Sequence, residues 1–428
     1  MLIGQSISRP TLTREDRATI LTTIKKLIPE RHINVSNPNQ DYGPWLALVD
    51  KHMPQLVDDA DTQTFEAGVS ELLRALGSSH TAFFHQHGNG VPALGSINAT
   101  LRAVDAPDGK RWMFLDVIED GAAFRAGILP GELLFSIDSI PVVPPQSANF
   151  QIGASHQVEV ETFAGAKRQV MVEVPNRAAK DRPPMVEPRS LSYRMLAPEV
   201  GLVRVATFPG AVGQSFAREL DHVIGNLKSN GMRRLIVDLR GNIGGGLGSL
   251  RLLSYLCPGK MEIGYSVTRH RLRKGYKKEK LTRIGKIPAT KAELLLMAVR
   301  FKVFQRDRSM TLVTEGLGPQ PFHDRIVILI NEYARSGAEM VASFAKENRL
   351  ATLVGTKTAG EVLGAANFTL TGGYILRMPV TGWYTWQGEC IEGKGVEPDV
   401  AIENTPESLA SGVDTQLNNA IEAVSALP

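Results

Sequence analysis

From Val200 to Val354 the chain repeats one alternation: a short apolar run, a polar or glycine-rich loop, then a stretch with helical spacing. Few architectures accept that pattern, because parallel strands joined by helix-sized crossovers must lie in one sheet with helices packed on its faces. The runs are Val200–Ala206, Leu235–Asp238, Arg325–Ile330 and Ala351–Val354. Helices are predicted over Val212–Leu227, after Gly248 and over Gly337–Lys346. An α/β sheet follows from this spacing.

The segments before it read differently. Residues 10–76 have helical spacing, as in Ile20, Ile24 and Leu27 and again in Phe65, Val69, Leu72, Leu73 and Leu76, and Pro29, Pro38, Pro44 and Pro54 keep those helices short. From Val91 the texture turns to β-type runs between Gly and Pro, namely Trp112–Val117, Leu133–Ile137 and Val158–Phe163, with a small-residue helix at Gly121–Ala126. Pro175 to Pro188 is Pro-rich and charged, as a linker is. A chain of 428 residues holds several domains at about 100–200 residues each. The division expected is an N-terminal helical domain over 1–90, a small β-rich domain over 91–175, a linker over 176–198, and an α/β core over 199–428 with a basic insertion at 266–312.

Charge and composition narrow the function. Between Arg269 and Lys286 nine Lys/Arg face one acid, Glu279, so this segment carries +8 of a total formal charge of +4 and the remainder is −4. Tyr276 is the one aromatic there, too few for a stacking surface, so no nucleic-acid partner is expected. The longest apolar run, Leu294–Phe301 broken by Arg300, is far below the ~18–20 residues of a membrane span. Gln5, Ser6 and Ser8 sit where a signal peptide would be apolar, so the sequence as it stands reads as cytoplasmic, and as exported only if a leader was removed. Two cysteines, Cys257 and Cys390, support neither a disulfide framework nor a zinc site.

Three features could carry chemistry. Asp238-Leu-Arg-Gly-Asn-Ile-Gly-Gly-Gly246 follows an apolar strand and precedes a helix; its glycines either free N–H groups for an anion or simply make a tight turn. The glycines do not follow the dinucleotide spacing, and no Lys-Ser/Thr pair makes it a phosphate loop. Ser336, after the strand Ile326–Ile330 and at the start of a helix, is either an N-cap or a nucleophile at a helix N-terminus. Leu76-Gly-Ser-Ser-His-Thr81 holds His80, near His85 and His87, but the spacing 80, 85, 87 puts three imidazoles on no common helical face, so no metal is expected.

Together these segments resemble the S41 family of serine peptidases, the C-terminal processing and tricorn-type proteases. The marks are Asp238–Gly246, Asn331–Glu339, Val354-Gly-Thr-Lys-Thr-Ala-Gly360 and Gly393-Lys-Gly-Val-Glu-Pro-Asp399, in the family's order. The resemblance implies a multidomain α+β chain: an N-terminal helical domain, a PDZ-like domain and an α/β core of the ClpP/crotonase-like type. Ile118–Leu134 resembles the PDZ pattern, with Glu132 where Asp is usual, and Leu94, Gly95, Ser96 and Ile97 would be the carboxylate-binding loop. The processing branch places its base lysine 25 residues after the nucleophile; here that position is Glu361. The tricorn branch is matched instead by Ser79-His80 and by Glu392.

The implied machinery is Ser336 as nucleophile, His80 as general base and then acid, and Ser79 and Glu392 as orienting groups, with Lys357 as an alternative base. The N–H groups of Gly337 and of Gly244 or Gly245 would form the oxyanion hole. The implied activity is that of a serine endopeptidase acting on unfolded proteins or peptides, near C-termini, with no cofactor. A noncatalytic peptide-binding or lipophilic-ligand-binding protein on the same fold is the alternative, and the joint presence of Ser336, His80 and Glu392 argues against it. Trp383, Trp386 and Cys390 are read as packing around the Glu392 loop.

Overall fold

A computed structural model describes residues 11–88, 90–162, 165–299 and 309–428. Phe163, the N-terminal residues 1–10 and residues 300–308 of the basic insertion lie outside the described residues.

The α/β core is the sheet Leu191–Ala197, Val200–Val205, Arg234–Asp238, Ile326–Ile330, Thr352–Gly355 and Val400–Ala401, in that spatial order. The first pair is antiparallel and every later pair is parallel. Both faces are covered, which explains why the central strands are continuous apolar runs. Val203, Val205, Leu235, Val237, Ile328 and Ile330 pack under the helices Gln214–Ser229, Ser249–Leu256 and Gly337–Glu347. The alternate residues Leu202, Ile236, Val327 and Leu329 pack against Ala420 and Val424 of the C-terminal helix Thr415–Ala426. Strand Leu191–Ala197 occupies the end of the stretch expected to be linker, so the core begins earlier than residue 199.

A second sheet was not legible in the sequence. Its strands run in the order Ala82–His85, Tyr374–Thr385, Glu262–Thr268, Met310–Val313 and Thr282–Ile284, with Gly364–Thr369 also paired to Tyr374–Thr385. The ends of the basic insertion are therefore strands of this sheet rather than surface loop.

Three helices cover it. Arg14–Arg31 starts at Thr13, whose hydroxyl and the Asp16 carboxylate form a capping box, and buries Ile20, Leu21, Ile24 and Ile28 along one face. Gly43–Asp58 opens with Pro44 in its first turn, and Thr62–Arg74 is capped by Asp61. Their buried faces pack with Phe83, Tyr374, Leu376 and Met378. The N-terminal helices are thus fastened to the core through Ala82–His85, with Ala82 opposite Arg377.

The β-rich domain is a six-stranded antiparallel sheet, Ala99–Ala106, Gly109–Val117, Leu133–Ile137, Ser155–Glu161 and Lys167–Glu173 in that order with Ile140–Pro141 also paired to Leu133–Ile137, and it carries the short helices Ala93–Ser96 and Ala122–Arg125. Its interior is Ile97, Phe114, Leu134, Phe150, Val158, Val160 and Val172.

Candidate active site

Ser336 sits where the buried strand Ile326–Ile330 turns into the helix Gly337–Glu347. Its backbone has φ 56° and ψ −115°. A side chain rarely adopts that conformation, which costs roughly 1–3 kcal/mol and persists only where the surroundings impose it. Here they do. Ser336 N–H donates to Glu361 O at 2.7 Å and to Glu339 Oε2 at 3.1 Å, while Arg335 N–H donates to Asn242 O at 3.0 Å.

Glu339 is the organiser of this turn. Fully buried, it also accepts from Thr358 Oγ1 at 2.6 Å and from the N–H groups of Gly360 at 2.7 Å and Glu361 at 2.8 Å. Burial holds its carboxyl above the usual range, and the four donors pull the other way. One side chain thereby locks the 358–361 segment against the serine. The Ser336-x-x-Glu339 spacing of a capping box was the sequence signal for this role.

The glycine loop lies directly against the serine. A Cβ on Gly244, at φ +70°, would stand 2.5 Å from Ser336 Cβ, and one on Gly245, at φ +148°, would stand 1.9 Å from Phe208 O. Neither position accepts another residue. Of the proposed oxyanion donors, the Gly244 N–H is already engaged, donating to Asn242 Oδ1 at 2.7 Å. Among the described residues the N–H groups of Gly245 and Gly337 donate to no partner, so these two remain free for an anion.

His80 approaches from the N-terminal domain. It lies two residues before strand Ala82–His85, is partly buried, and has φ 59°. Ser79 Oγ stands 2.8 Å from His80 Nδ1, which leaves Nε2 as the proton acceptor when Nδ1 carries the hydrogen. Burial first, and then the guanidinium charges of Arg335 and Arg377, lower its pKa to about 4. Arg335 is the neighbour of Ser336 in sequence, and Arg377 is held by Asn367 Oδ1 at 3.0 Å and Pro183 O at 2.8 Å. Among the described residues no hydrogen bond joins His80 to Ser336; contacts of this kind commonly tighten only with substrate bound.

The remaining candidates separate. Glu392 is partly buried, and its Oε2 accepts from Val362 N–H at 2.8 Å, one residue beyond Glu361; among the described residues no hydrogen bond joins it to Ser79. Glu361 pairs with Arg335 at 3.0 Å. Lys357 lies half-exposed in an ion pair with Glu397 at 2.7 Å, far from the desolvated setting that a lysine base needs. Trp383 is 5% exposed within the main core, and Trp386 packs with Tyr265 and Tyr384, which fits their reading as packing residues. His85 Nδ1 accepts from His87 N–H at 3.2 Å and His85 Nε2 lies 3.0 Å from Gly372 O, and among the described residues no group of three or more His, Cys, Asp or Glu could hold a metal.

In the β-rich domain Leu94, Gly95 and Ser96 lie on the one-turn helix Ala93–Ser96. Among the described residues their N–H groups donate to no partner, whereas the Ile97 N–H donates to Ala93 O at 2.9 Å and is spent. Ser96 is fully buried, its hydroxyl donating to Val91 O. Glu132 clamps its loop through Arg168 at 2.7 Å and Leu129 N–H at 3.0 Å.

This domain also reaches the active-site loops, which the sequence did not announce. Asn331 Nδ2 donates to Asp116 Oδ2 at 2.8 Å, Thr100 Oγ1 donates to the same oxygen at 2.7 Å, and Asn331 Oδ1 accepts from Gly241 N–H at 3.0 Å. The three residues are buried, so each such bond is costly to break. Tyr333 Oη donates to Leu101 O, and Arg102 pairs with Glu332 and Glu403. No helix among the described residues is long and apolar enough to cross a membrane.

Comparison with known proteins agrees with the core. Residues 199–402 match the model of Peptidase family S41. A tricorn protease of Thermoplasma volcanium is 39% identical over 101 residues, 23% of this chain and 10% of the relative. A carboxyl-terminal-processing protease of Synechocystis sp. is 22% identical over 434 residues, 98% of this chain and 89% of the relative. The matches to the first three curated relatives span 10 to 60% of those proteins' own lengths. The solved photosystem II D1 C-terminal processing protease shares the fold, with a TM-score of 0.53 at 16% identity over 91% of this chain and 94% of that chain. The core of this chain, residues 199–402, is thus similar in sequence to Peptidase family S41, and the mixed α/β architecture around it is shared with the solved processing protease over most of both chains.

Proposed function

We propose that this protein is a serine endopeptidase that cleaves unfolded proteins or peptides, near their C-termini, with Ser336, His80, Ser79 and Glu392 as its working groups. The observation that carries this is the strained Ser336 turn pressed against the Gly244-Gly245 loop, with two unspent N–H donors beside it. Ser336 Oγ attacks the scissile carbonyl and His80 Nε2 takes its proton. The tetrahedral oxyanion forms at the N–H groups of Gly337 and Gly245, and His80 returns the proton to the leaving amine. Ser79 holds the Nδ1 side of the ring, and Glu392 braces the 361–362 backbone that accepts from Ser336 N–H. The core is of the ClpP/crotonase-like type. The β-rich domain acts as a PDZ-like module, with the N–H groups of Leu94 and Gly95 receiving a chain end, while buried Ser96 supports the turn beneath them.

A fluorophosphonate probe tests the proposal. Stoichiometric labelling mapped to Ser336 by mass spectrometry is the expected outcome. A folded protein that takes no label at Ser336 is the noncatalytic binder instead.

Glu392 has its own test. Glu392→Gln keeps the shape and removes the charge, so it is expected to lower kcat by about 10- to 100-fold with little change in melting temperature, as a small displacement of the 361–362 backbone against Ser336 does. Glu397→Gln, on the same loop but paired outward to Lys357, is expected to be neutral. Equal damage from both variants contradicts an orienting role.

A further inference from the structure

We infer that His32 and Ser78 are positioning residues for the Ser79-His80 turn, setting the peptide plane that aims the His80 imidazole. This rests on the assignment of His80 as the base. His32 is fully buried at the C-terminal end of helix Arg14–Arg31, and both of its ring nitrogens are engaged. Nδ1 lies 2.7 Å from Tyr42 Oη, and Nε2 lies 2.8 Å from Ser78 Oγ. Ser78 Oγ lies 2.9 Å from Thr81 Oγ1, which donates to Ser79 O at 3.4 Å.

A single continuous polarity can run the length of this row, with the Tyr42 hydroxyl, which also stands 3.3 Å from His32 O, turned to the ring. Tyr42 O–H donates to His32 Nδ1, His32 Nε2–H to Ser78 Oγ, Ser78 O–H to Thr81 Oγ1, and Thr81 O–H to the carbonyl of the Ser79-His80 peptide bond. The row ends on the peptide unit whose orientation is coupled to the positive φ of His80. A backbone in that region is held there by its surroundings. Hydroxyls on either side of the dipeptide, anchored to a buried ring, supply that constraint. Burial keeps His32 neutral near pH 7, its pKa lowered to about 4, with Arg269 as the second cause. Arg269 lies with its guanidinium 4.9 Å from the centre of the Tyr42 ring and Nη1 donating to Pro29 O at 2.6 Å. The neutral ring offers one donor and one acceptor, as the row requires.

The test compares His32→Asn, His32→Gln and Ser78→Ala in the full chain, with activity expressed per active site titrated to endpoint by fluorophosphonate. Asparagine replaces only the Nδ1 side, whereas the glutamine amide can donate to Ser78 from near the Nε2 position. His32→Asn and Ser78→Ala are each expected to lower kcat by about 10- to 100-fold with KM nearly unchanged, the cost of a base displaced by ~1 Å. His32→Gln is expected to recover most of the loss. The acid limb of kcat/KM is expected to move up toward ~6.5 in the damaged variants, as His80 becomes better hydrated. The double variant is expected to lose no more than either single, since both act through one row. Unchanged kcat per titrated site and an unchanged acid limb in Ser78→Ala, with His80→Ala inactive, overturn this inference alone. An active His80→Ala overturns it together with the assignment of the base.

Discussion

Ser336→Ala is expected to remove hydrolysis of an unfolded protein substrate, by roughly 10⁴–10⁶-fold in kcat, as for other serine nucleophiles. The fold should not notice. Ser336 N–H, the group held by Glu361 and Glu339, is retained in alanine. Alanine also keeps a Cβ, so the strain at φ 56° is unchanged. Ser336→Gly separates strain from chemistry: it should be equally inactive yet melt higher, because glycine adopts this conformation without penalty. Normal turnover by a folded Ser336→Ala protein ends the proposed mechanism.

His80→Ala is expected to cost about 10³-fold or more in kcat, while Lys357→Ala stays within about threefold, since general-base catalysis is lost only in the first. The reverse ranking moves the protein to a serine–lysine mechanism. The pH profile adds a second check. An ordinary histidine titrates at ~6.5 and would leave about a tenth of the activity at pH 5.5. With His80 lowered to about 4, kcat/KM should rise through pH 4 and be nearly flat from 5.5 to 7.5. A limb near 6.5 in the free enzyme means that the burial and the Arg335 and Arg377 charges do not act as described.

The same shifts predict how stability follows pH. His32 and His80 both titrate near 4 when folded and near ~6.5 when unfolded, so between those values the unfolded chain binds more protons. Their contribution to stability is therefore complete above about 6.5 and is lost as pH falls toward 4. Melting temperatures recorded beside the rate profile distinguish loss of the base from loss of the fold.

The alternation of apolar runs and helices between Val200 and Val354 determined the core sheet by itself. Its central strands are buried on both faces, so the apolar pattern is continuous, and each run pairs with the next even where, as between Leu235 and Ile326, strands of the second sheet intervene. The Gly244-Gly245 loop and the Ser336 turn were legible for a related reason: backbone conformations that only certain residues tolerate leave those residues in the sequence. Glu339 was within reach too, through its capping-box spacing, yet its hold on Thr358, Gly360 and Glu361 depends on a segment 19 to 22 residues away.

Tertiary structure alone decided the rest. The second sheet joins Ala82–His85 to Tyr374–Thr385 across nearly 300 residues, and Pro379 and Gly382 hide the long strand from any period-2 pattern. Asp116 belongs to the β-rich domain, but its carboxylate serves Asn331 at the start of the Ser336 turn. Only folding revealed that Asn242 consumes the Gly244 N–H, while among the described residues the N–H groups of Gly245 and Gly337 stay unspent. His32 gave no local sign, being one histidine at the end of a helix, 46 residues from the serine it holds. A local pattern records what one segment needs from its own backbone and from the faces it buries. Which distant side chain meets a given donor is set by how the sheets close, and no spacing along the chain encodes it.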